Sequence, residues 1–409
     1  MAATVVARKW RMLALGWLAY CAFGMAVGSL APLVSPIMHD LGLSSARMGL
    51  VLGVWQLVYV FTAVPLGVAV DRLGVRRAVA LALVVITLSL LLRAAATSFW
   101  TLFASVALFG VGGPVVSIGV PKIVAEWFPP RQRGHAAGLY TTAPTIGGVV
   151  VLATAAGVLL RLVGSWRLVM LVFAAAGVGA LLLWTLCYRD PPAPGGSGLR
   201  KAPAARVRGR WLLLLRERNM RLLLVLAVGT FVVNHGLNAW QPTYLEEAGF
   251  HLAAAGRWTA VGTLCGLLTA LVVPGLSRPG ARRMALVVLL LAAALGLTGM
   301  TVLSGAPLLA AAWVTAMARA PVLPLMMLLL MEQPGIGARH FGLGAGLLFA
   351  AAEVGGFGGP ALLGVGRDAA GGLAPSMLGM AAVSLLMIAA VVRVRDAAPA
   401  AADSPPARG

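Results

Sequence analysis

Charged residues, and acidic residues above all, are scarce in this sequence. Only 11% of its 409 residues are charged, and 12 aspartates and glutamates stand against 32 lysines and arginines. A soluble domain is typically about 25% charged, so this composition excludes a soluble globular protein. With 60% hydrophobic residues and a mean hydropathy of +0.93, the chain is expected to cross a membrane several times.

Cysteine and the common catalytic motifs are scarce or missing as well. The three cysteines, Cys21, Cys187 and Cys265, lie in apolar segments without metal-ligand spacing, which argues against a disulfide framework and against a metal site. The sequence lacks a phosphate-binding Walker A motif, a G-x-S-x-G elbow in a soluble context and the spacing of cofactor ligands. We therefore expect no enzyme activity, no catalytic residue, no cofactor and no metal.

Basic residues are abundant, but they recur singly or in small groups between apolar runs. The net charge of +20 could indicate nucleic acid as a partner, yet the basic residues form no continuous basic face of the kind that nucleic acid requires. Basic loops on one side of a membrane explain the pattern better. The expected partner is therefore the lipid bilayer and not nucleic acid.

The apolar runs predict an all-α polytopic membrane protein with twelve transmembrane helices, since a span needs about 20 residues. The first run is too long for a cleaved signal and is expected to be an uncleaved anchor. The predicted helices are Met12–Met38, Ala46–Val70, Ala78–Ala96, Phe99–Ala125, Ala136–Leu160, Leu168–Tyr188, Arg221–Leu245, Ala253–Leu276, Met284–Leu303, Pro307–Met331, Gly342–Leu363 and Leu373–Val392.

A segment rich in proline, glycine and arginine, Arg189–Arg218, interrupts the apolar runs. This composition is typical of a flexible connector, and it ends in a predicted amphipathic helix near Trp211–Arg218. The expected organisation is a six-helix N-terminal half over residues 1–188, a cytoplasmic connector over 189–220, a six-helix C-terminal half over 221–395 and a disordered cytoplasmic tail over 396–409.

The distribution of lysine and arginine over the loops predicts the orientation. With this helix assignment, 24 basic residues fall on the side of the termini and 6, Arg93 among them, on the opposite side. Both termini are therefore expected in the cytoplasm. The basic residues comprise 29 arginines and 3 lysines, which indicates a GC-rich bacterial source and hence a multi-pass protein of the bacterial inner membrane.

The chain is organised around the short charged hinge Gly67–Arg77, between predicted helices 2 and 3. Gly67 permits a close approach by another helix, Asp71 can accept hydrogen bonds from arginine, and Gly74 suits the turn. An apolar hairpin capped by arginines would be the ordinary interpretation. However, the spacing G-x-x-x-D-R-x-G-x-R-R resembles the loop 2–3 signature of the major facilitator superfamily.

An internal repeat accompanies this resemblance. Arg72–Arg77 recurs at an offset of 206 as Arg278–Arg283, and Gly147–Gly148 recurs at an offset of 208 as Gly355–Gly356. Such repeats are typical of transporters built from two related halves. The resemblance covers nearly the whole chain and implies the major facilitator fold, with two pseudo-symmetric six-helix halves and transport by alternating access.

Two further runs, Pro121–Gly134 and Asn238–Gly249, resemble the bacterial cyanate permease-like and organic-anion porter branch of that superfamily. The run Ala143–Gly148 only half matches the drug/proton antiporter motif of helix 5, because alanine stands where that motif has glycine. The asparagine-rich nitrate signature of helix 5 is absent. The resemblance thus implies a small organic anion as the substrate.

Predicted helix 7 carries a polar stripe. Thr230, Asn234, Asn238 and Gln241 follow one another at spacings of four, four and three, which places them on one face of the helix, with His235 beside them. Amides in membrane bundles also form hydrogen bonds between helices. Because helix 7 lines the cavity in the fold that the resemblance implies, Asn234, His235, Asn238 and Gln241 are predicted to bind substrate.

Two charges, Arg319 and Glu353, fall near the middle of predicted helices 10 and 11. A charge at this depth costs at least about 2.5–3.5 kcal/mol, so mutual pairing or a polar cavity is expected. One interpretation is a structural ion pair. The other is that Arg319 attracts an anionic substrate while Glu353 carries a coupling proton.

The remaining candidates lie at comparable depth or at helix ends, where packing or structural roles are equally common. Predicted substrate contacts are Tyr20, Gln56, Tyr59, Tyr140 and Thr145. Predicted residues of conformational gating are Gly67, Asp71, Arg72, Gly74, Arg76, Lys122 and Glu126, of which the last two form either a gate salt bridge or a substrate contact.

Together these features predict a secondary active transporter of a small organic anion. The transporter is expected to act as a functional monomer. Its transport is expected to be coupled to a proton (symport) or to proceed by exchange. One alternative is a proton-driven multidrug efflux antiporter for amphipathic compounds, which would need several acidic residues in the cavity where only Glu353 is available. The other is a receptor on the same scaffold, for which a large soluble domain would be expected.

Overall fold

The computed structural model describes residues 2–191, 210–333 and 337–394, and every regular element in these ranges is helical. Eleven helices there are long and apolar enough to cross a membrane. One of them, Ser45–Ala94, has 50 residues, more than twice the length of about 20 that a span requires. Gly74 divides it, with non-helical φ and ψ of 76° and 160°. The all-α polytopic fold and the expected twelve spans are thus confirmed.

The membrane helices are numbered here in chain order. A short additional helix, Val34–Leu41, follows α1, and a second one, Arg210–Arg216, precedes α7. The twelve are α1 (Ala2–Gly28), α2 (45–73), α3 (75–94), α4 (Phe99–Trp127), α5 (Pro130–Val163), α6 (Trp166–Cys187), α7 (Arg218–Glu247), α8 (Leu252–Leu276), α9 (Arg282–Val302), α10 (Gly305–Met331), α11 (Gly337–Ala370) and α12 (Ala374–Arg393).

Serine and glycine define several helix ends. The Ser44 side chain accepts a hydrogen bond from the backbone N–H of Arg47 at the start of α2, and Ser98 forms a capping box with Thr101 at the start of α4. Gly42 adopts a left-handed conformation, with φ 60°, directly after the short helix Val34–Leu41. Because these residues satisfy the end groups of the helices within short turns, consecutive helices become antiparallel neighbours.

Three predicted continuous helices are interrupted in the structure. After α1 ends at Gly28, the 3-10 turn Ala31–Leu33 leads into the short helix Val34–Leu41, and α5 contains the π-helical turn Ala155–Leu159. In α10, a turn after Arg319 separates Gly305–Arg319 from Val322–Met331. The turn contains Pro321, which has no N–H for the helix ladder.

Arg93 corrects one assumption of the loop-charge count. It does not lie in a loop but is 1% exposed within α3. Its Nη1 donates to the Ala26 carbonyl and to Ser29 Oγ, both at 2.7 Å, and its guanidinium lies 5.6 Å from the Phe109 ring centroid. Because α1 ends at Gly28, its last carbonyls need donors from elsewhere, and Arg93 supplies them.

The internal repeat has a counterpart in the packing. A Cβ at Gly147 would overlap the carbonyl oxygen of Cys21 in α1, and a Cβ at Gly355 would overlap the carbonyl oxygen of Val228 in α7. Equivalent glycines therefore allow α5 to approach α1 and α11 to approach α7. The repeated hinge glycines also share a positive φ, 76° at Gly74 and 81° at Gly280.

Two parts of the predicted organisation lie outside the described residues. These are residues 192–209 of the connector and the tail over 396–409. Near the end of the connector, the short helix Arg210–Arg216 lies where the amphipathic helix was expected.

Candidate functional site

Two adjoining cavities lie between α1–α6 and α7–α12. The first, called the apolar chamber, has a volume of about 230 Å³, and the second, called the arginine chamber, about 190 Å³. Thr145, Asn238 and Thr263 line both. The other residues of the apolar chamber are Phe23, Gly24, Val27, Gly28, Ala31, Trp55, Pro144, Gly148, Leu152, His235 and Thr259; those of the arginine chamber are Asn234, Gly266, Leu267, Ala270, Ala316, Arg319 and Ala320.

Two amides of α7 hold Arg319. Its Nη1 donates to Asn234 Oδ1 at 2.6 Å, and its Nη2 donates to Asn238 Oδ1 at 2.8 Å. The side chain is 8% exposed, and its Nε has no hydrogen-bond partner. Since amide oxygens are neutral acceptors, they orient the guanidinium without neutralising it. A buried positive charge therefore remains at the wall of the arginine chamber.

The expected pairing of Arg319 with Glu353 is not made. Within the described part of the chain no carboxylate lies at salt-bridge distance from Arg319. Of the two arrangements that the sequence allowed, the polar cavity is the one observed. Arg319 is also the last residue before the turn in α10, and discontinuous helices are a recurrent feature of transporter binding sites.

Glu353 lies instead in a polar cluster of α2, α7 and α11. Gln56 Nε2 and His235 Nδ1 form a hydrogen bond of 2.9 Å. A Cβ at Gly356 would lie 3.2 Å from Glu353 Oε2, 3.1 Å from Gln56 Cγ and 3.4 Å from His235 Cδ2, so the three side chains surround this glycine. Glu353 is 6% exposed and its Oε2 has no hydrogen-bond partner.

The predicted substrate contacts fall into two groups. Those that line a chamber are Thr145, Asn234, His235, Asn238 and Arg319. Gln56 lies directly behind His235, whereas Tyr20, Tyr59, Tyr140 and Gln241 line neither chamber. Tyr20 and Tyr140 pack against each other, with ring centroids 6.4 Å apart, and Gln241 is buried with its Nε2 unpartnered.

The sequence reasoning missed the aromatic and hydroxyl walls of the apolar chamber. Phe23 of α1 and Trp55 of α2 meet edge to face at 6.1 Å, and Trp55 meets the His235 ring at 5.9 Å. Thr259 and Thr263 stand four residues apart on α8. That spacing in the sequence indicates one polar face of the helix. The apolar residues of α1 and α2 that line the chamber have no spacing that distinguishes them from other core residues.

One end of the helix bundle is closed by contacts between α2 and α11. Asp368 accepts hydrogen bonds from the backbone N–H groups of Ser45 at 2.9 Å and Ala46 at 2.8 Å, and Arg367 Nη1 donates to Ser45 Oγ at 2.9 Å. Cβ atoms at Gly49 and Gly53 would collide with the α11 backbone. This end carries the α1–α2 and α11–α12 connections.

The opposite end is open. A Cβ built at Gly67 would meet no described residue of another helix within 4 Å, so the close approach expected there is not made in this structure. Asp71 forms a salt bridge of 2.8 Å with Lys122 of α4, where an arginine partner was expected. The pair therefore lies within α1–α6.

The other predicted gating residues lie around this open end. Gly74 forms the left-handed turn between α2 and α3, and the guanidinium of Arg76 donates to the Thr185 carbonyl of α6 at 3.3 Å. Arg72 and Glu126 are exposed. The structure thus brings the gating residues together at one end of the bundle, away from the two chambers.

A bundle of twelve membrane helices, closed at one end and open at the other around a charged central cavity, has the architecture of a membrane transporter with a midplane site. The family comparison agrees with this class. The chain belongs to the Major Facilitator Superfamily, whose family model matches residues 16–360. Membership confirms the resemblance drawn from the loop motif and places the chain among transporters and not among enzymes.

Curated relatives include carriers of acidic sugars. The hexuronate transporter of Bacillus subtilis (strain 168) is 26% identical over 242 residues, which cover 57% of this chain and 56% of that protein. The probable L-galactonate transporter of Escherichia coli (strain K12) is 28% identical over 243 residues, covering 56% of this chain and 53% of that protein. The chain thus spans about half the length of these relatives.

A solved structure supports the fold over the full length. The crystal structure of nucleoside transporter NupG superimposes with a TM-score of 0.76 at 15% identity, covering 94% of this chain and 99% of that chain. At this identity the likeness concerns the fold alone.

Proposed function

We propose that this protein is a secondary transporter that moves a small organic anion across the membrane by alternating access. The observation that carries the proposal is Arg319, a buried guanidinium held by two neutral amides at the wall of a central cavity. A buried cation without a counter-charge is costly. An anionic substrate that enters the arginine chamber supplies the missing charge.

The geometry of Arg319 suits a carboxylate. Nη1 already donates to Asn234 Oδ1 and, at 3.3 Å, to the Asn234 carbonyl, and Nη2 donates to Asn238 Oδ1, but a guanidinium has five N–H donors in a planar fork. Donors therefore remain for a charge-assisted contact with a carboxylate oxygen. The relatives described above, transporters for hexuronate and L-galactonate, are also named for carboxylic acids, which supports an anion as the cargo of this chain.

We assign the coupling proton to Glu353. No basic side chain lies at salt-bridge distance from it among the residues that the structure describes, and burial of an uncompensated carboxylate is costly. Binding of a proton removes that cost. Because Glu353 adjoins the Gln56–His235 hydrogen bond, its protonation acts at the contact between α2 and α7.

The orientation follows from the loop charges. The open end carries the arginine-rich hinge between α2 and α3, and the loops of that side hold most of the basic residues of the sequence. Basic loops face the cytoplasm. We therefore propose that the open end faces the cytoplasm and that both termini lie inside the cell.

The rival function, efflux of cationic drugs, finds less support in the site. The residues that line the two chambers include Arg319 but no carboxylate. An arginine repels a cationic compound, and Glu353 lies behind the chamber wall.

The test is binding of anions to Arg319→Gln, with Arg257→Gln of α8 as a matched control, since Arg257 is an exposed arginine and lines neither chamber. Calorimetric titration of the purified protein with a panel of carboxylates should detect binding to the unaltered protein and to Arg257→Gln. Arg319→Gln should lose it by about tenfold or more, the loss of one charge-assisted contact. Equal affinity of the two variants would disprove the anion site.

Proton coupling requires a separate experiment. In proteoliposomes, Glu353→Gln should keep binding and exchange of the anion, because a neutral amide resembles a permanently protonated glutamate, but it should lose accumulation driven by a pH gradient. Accumulation at the unaltered rate would remove Glu353 from the mechanism and leave the anion site intact.

A further inference from the structure

We infer that the substrate is a monocarboxylate with an apolar body, and not a polyhydroxylated acid of the kind that the names of the curated relatives suggest. The inference rests on the proposed anion site at Arg319 and concerns what the rest of the cavity can accommodate. It follows from the apolar chamber, which adjoins the arginine chamber through Thr145, Asn238 and Thr263.

The walls of the apolar chamber are mainly hydrocarbon. Phe23, Val27, Trp55 and Leu152 provide side chains of this kind, and Gly24 and Gly28 of α1 expose backbone where α1 approaches α5. Phe23 and Trp55 stand edge to face, and both line the cavity. An apolar body that replaces water at these walls gains about 25 cal/mol for each Å² buried.

Two of the three threonine hydroxyls in this chamber, those of Thr259 and Thr263, already use their protons. Thr259 Oγ1 donates to the Ala255 carbonyl and Thr263 Oγ1 donates to the Thr259 carbonyl, both at 2.8 Å. His235 Nδ1 is engaged by Gln56 at 2.9 Å. The two threonine hydroxyls cannot donate to a ligand without loss of a hydrogen bond, whereas His235, whose Nδ1 accepts from Gln56, keeps its Nε2–H as one donor for a ligand.

The two amides near Arg319 are committed through every side-chain polar atom except Asn238 Nδ2. Asn234 accepts from Arg319 with its Oδ1 and donates to the Thr230 carbonyl with its Nδ2 at 3.0 Å, while Asn238 Oδ1 accepts from Arg319. A sugar acid has several hydroxyls, and each one buried without a partner costs about 1–3 kcal/mol. The few groups that remain, such as the Thr145 hydroxyl, cannot satisfy them all.

The charge of the site sets the number of carboxylates. Arg319 is the only cationic side chain among the residues that line the two chambers. One carboxylate neutralises it, and a second would be buried without a partner at a cost of several kcal/mol. The arrangement therefore fits one carboxylate in the arginine chamber and an apolar body in the apolar chamber.

The first test compares three probes by calorimetric titration of the purified full-length protein. Phenylacetate is an apolar monocarboxylate, phenylacetamide has nearly the same shape without the charge, and galacturonate is a hydroxylated monocarboxylate. Phenylacetate should bind about tenfold or more tightly than either of the others, because galacturonate leaves hydroxyls unpaired and phenylacetamide forms no charge-assisted contact.

The outcomes separate this inference from the proposed function. If galacturonate binds more tightly than phenylacetate and loses affinity in Arg319→Gln, the apolar substrate class is wrong while the anion site stands. If no anion binds, or if Arg319→Gln binds every probe as the unaltered protein does, the proposed function fails and the inference fails with it.

A second test uses the two threonines, whose hydroxyls a sugar acid would need. Thr259→Val and Thr263→Val keep the shape of the side chain and remove the hydroxyl. In both threonine variants the affinity for phenylacetate should stay within about twofold of that of the unaltered protein, since these hydroxyls form hydrogen bonds to their own helix. Val27→Asn introduces an amide into the apolar wall and should weaken phenylacetate binding by about fivefold or more. A large loss in the threonine variants, or none in Val27→Asn, overturns the inference; thermal unfolding verifies that each variant is folded.

Discussion

Removal of the Asp368 carboxylate should shift the transporter toward the state that opens the closed end. Asp368, at the end of α11, accepts hydrogen bonds from the backbone N–H groups of Ser45 and Ala46 at the start of α2. In the alternating-access mechanism, these two helices separate when that end opens. The two hydrogen bonds therefore stabilise the closed arrangement and contribute nothing to the open one.

The magnitude follows from the environment of the carboxylate. A side chain that caps a helix N-terminus contributes about 1 kcal/mol. A hydrogen bond to a charged group can contribute about 1.5–3 kcal/mol, but Asp368 is exposed, so solvent screening favours the lower value. A change of about 1 kcal/mol in the free-energy difference between the two states corresponds to a shift of about fivefold in their ratio for Asp368→Ala.

The assay measures the width of the closed end by electron–electron resonance between spin labels. The labels are attached at Leu162→Cys and Val302→Cys, two positions that are each 76% exposed at the ends of α5 and α9, after the three native cysteines have been replaced. Asp40→Ala is the matched control, because the partners of Asp40, Trp166 and Arg167, both belong to α6. A distance distribution in Asp368→Ala that equals that of Asp40→Ala would refute the reasoning.

Three further substitutions test the packing and the open end. Gly355→Ala should lower the temperature of thermal unfolding, since overpacking costs about 1–3 kcal/mol, whereas Gly358→Ala on the same helix has open space and should change it little. Gly74→Ala should also destabilise the protein in the same assay, because φ is 76° there and L-residues disfavour that conformation. Asp71→Asn should slow transport in proteoliposomes but leave the Kd of an anion within about twofold. The exposed Asp71–Lys122 pair contributes only about 0–1 kcal/mol. A large loss of affinity would mean that the hinge is part of the anion-binding site.

The sequence was sufficient for the architecture because membrane helices follow from length and hydropathy alone. The two positive-φ hinges at Gly74 and Gly280 were also readable as a repeated motif. The same is true of Asn234 and Asn238, since a spacing of four places two amides on one helix face. A charge in an apolar run, such as Arg319, is conspicuous for the same reason.

Partner choice across helices was not readable. Arg319 and Glu353 looked like a pair because both lie at mid-depth, but depth does not specify the rotation of a helix, and their side chains face different neighbours. Arg93 was counted with the basic residues of the opposite face because the break after Gly28, near which it donates to the Ala26 carbonyl, gives no hydropathy signal. Asp368 lies beyond Leu363, the predicted end of helix 11, and it accepts hydrogen bonds from backbone N–H groups, which carry no residue-specific signature.

The position of the Gln56–His235 hydrogen bond connects the proposed anion and proton sites to the movement of the helices. Between described residues it is the one hydrogen bond that joins α1–α6 to α7–α12 away from the closed end. His235 lines the apolar chamber, and Glu353 adjoins the same pair. In the proposed mechanism, an anion at Arg319 and a proton at Glu353 therefore act on one interface, that of α2 with α7 and α11. When α2 separates from α11 at the closed end, the Gln56–His235 hydrogen bond has to break or shift. Occupancy of the anion site or of the proton site therefore changes the free energy of this separation. No relay of protons through the cavity is needed.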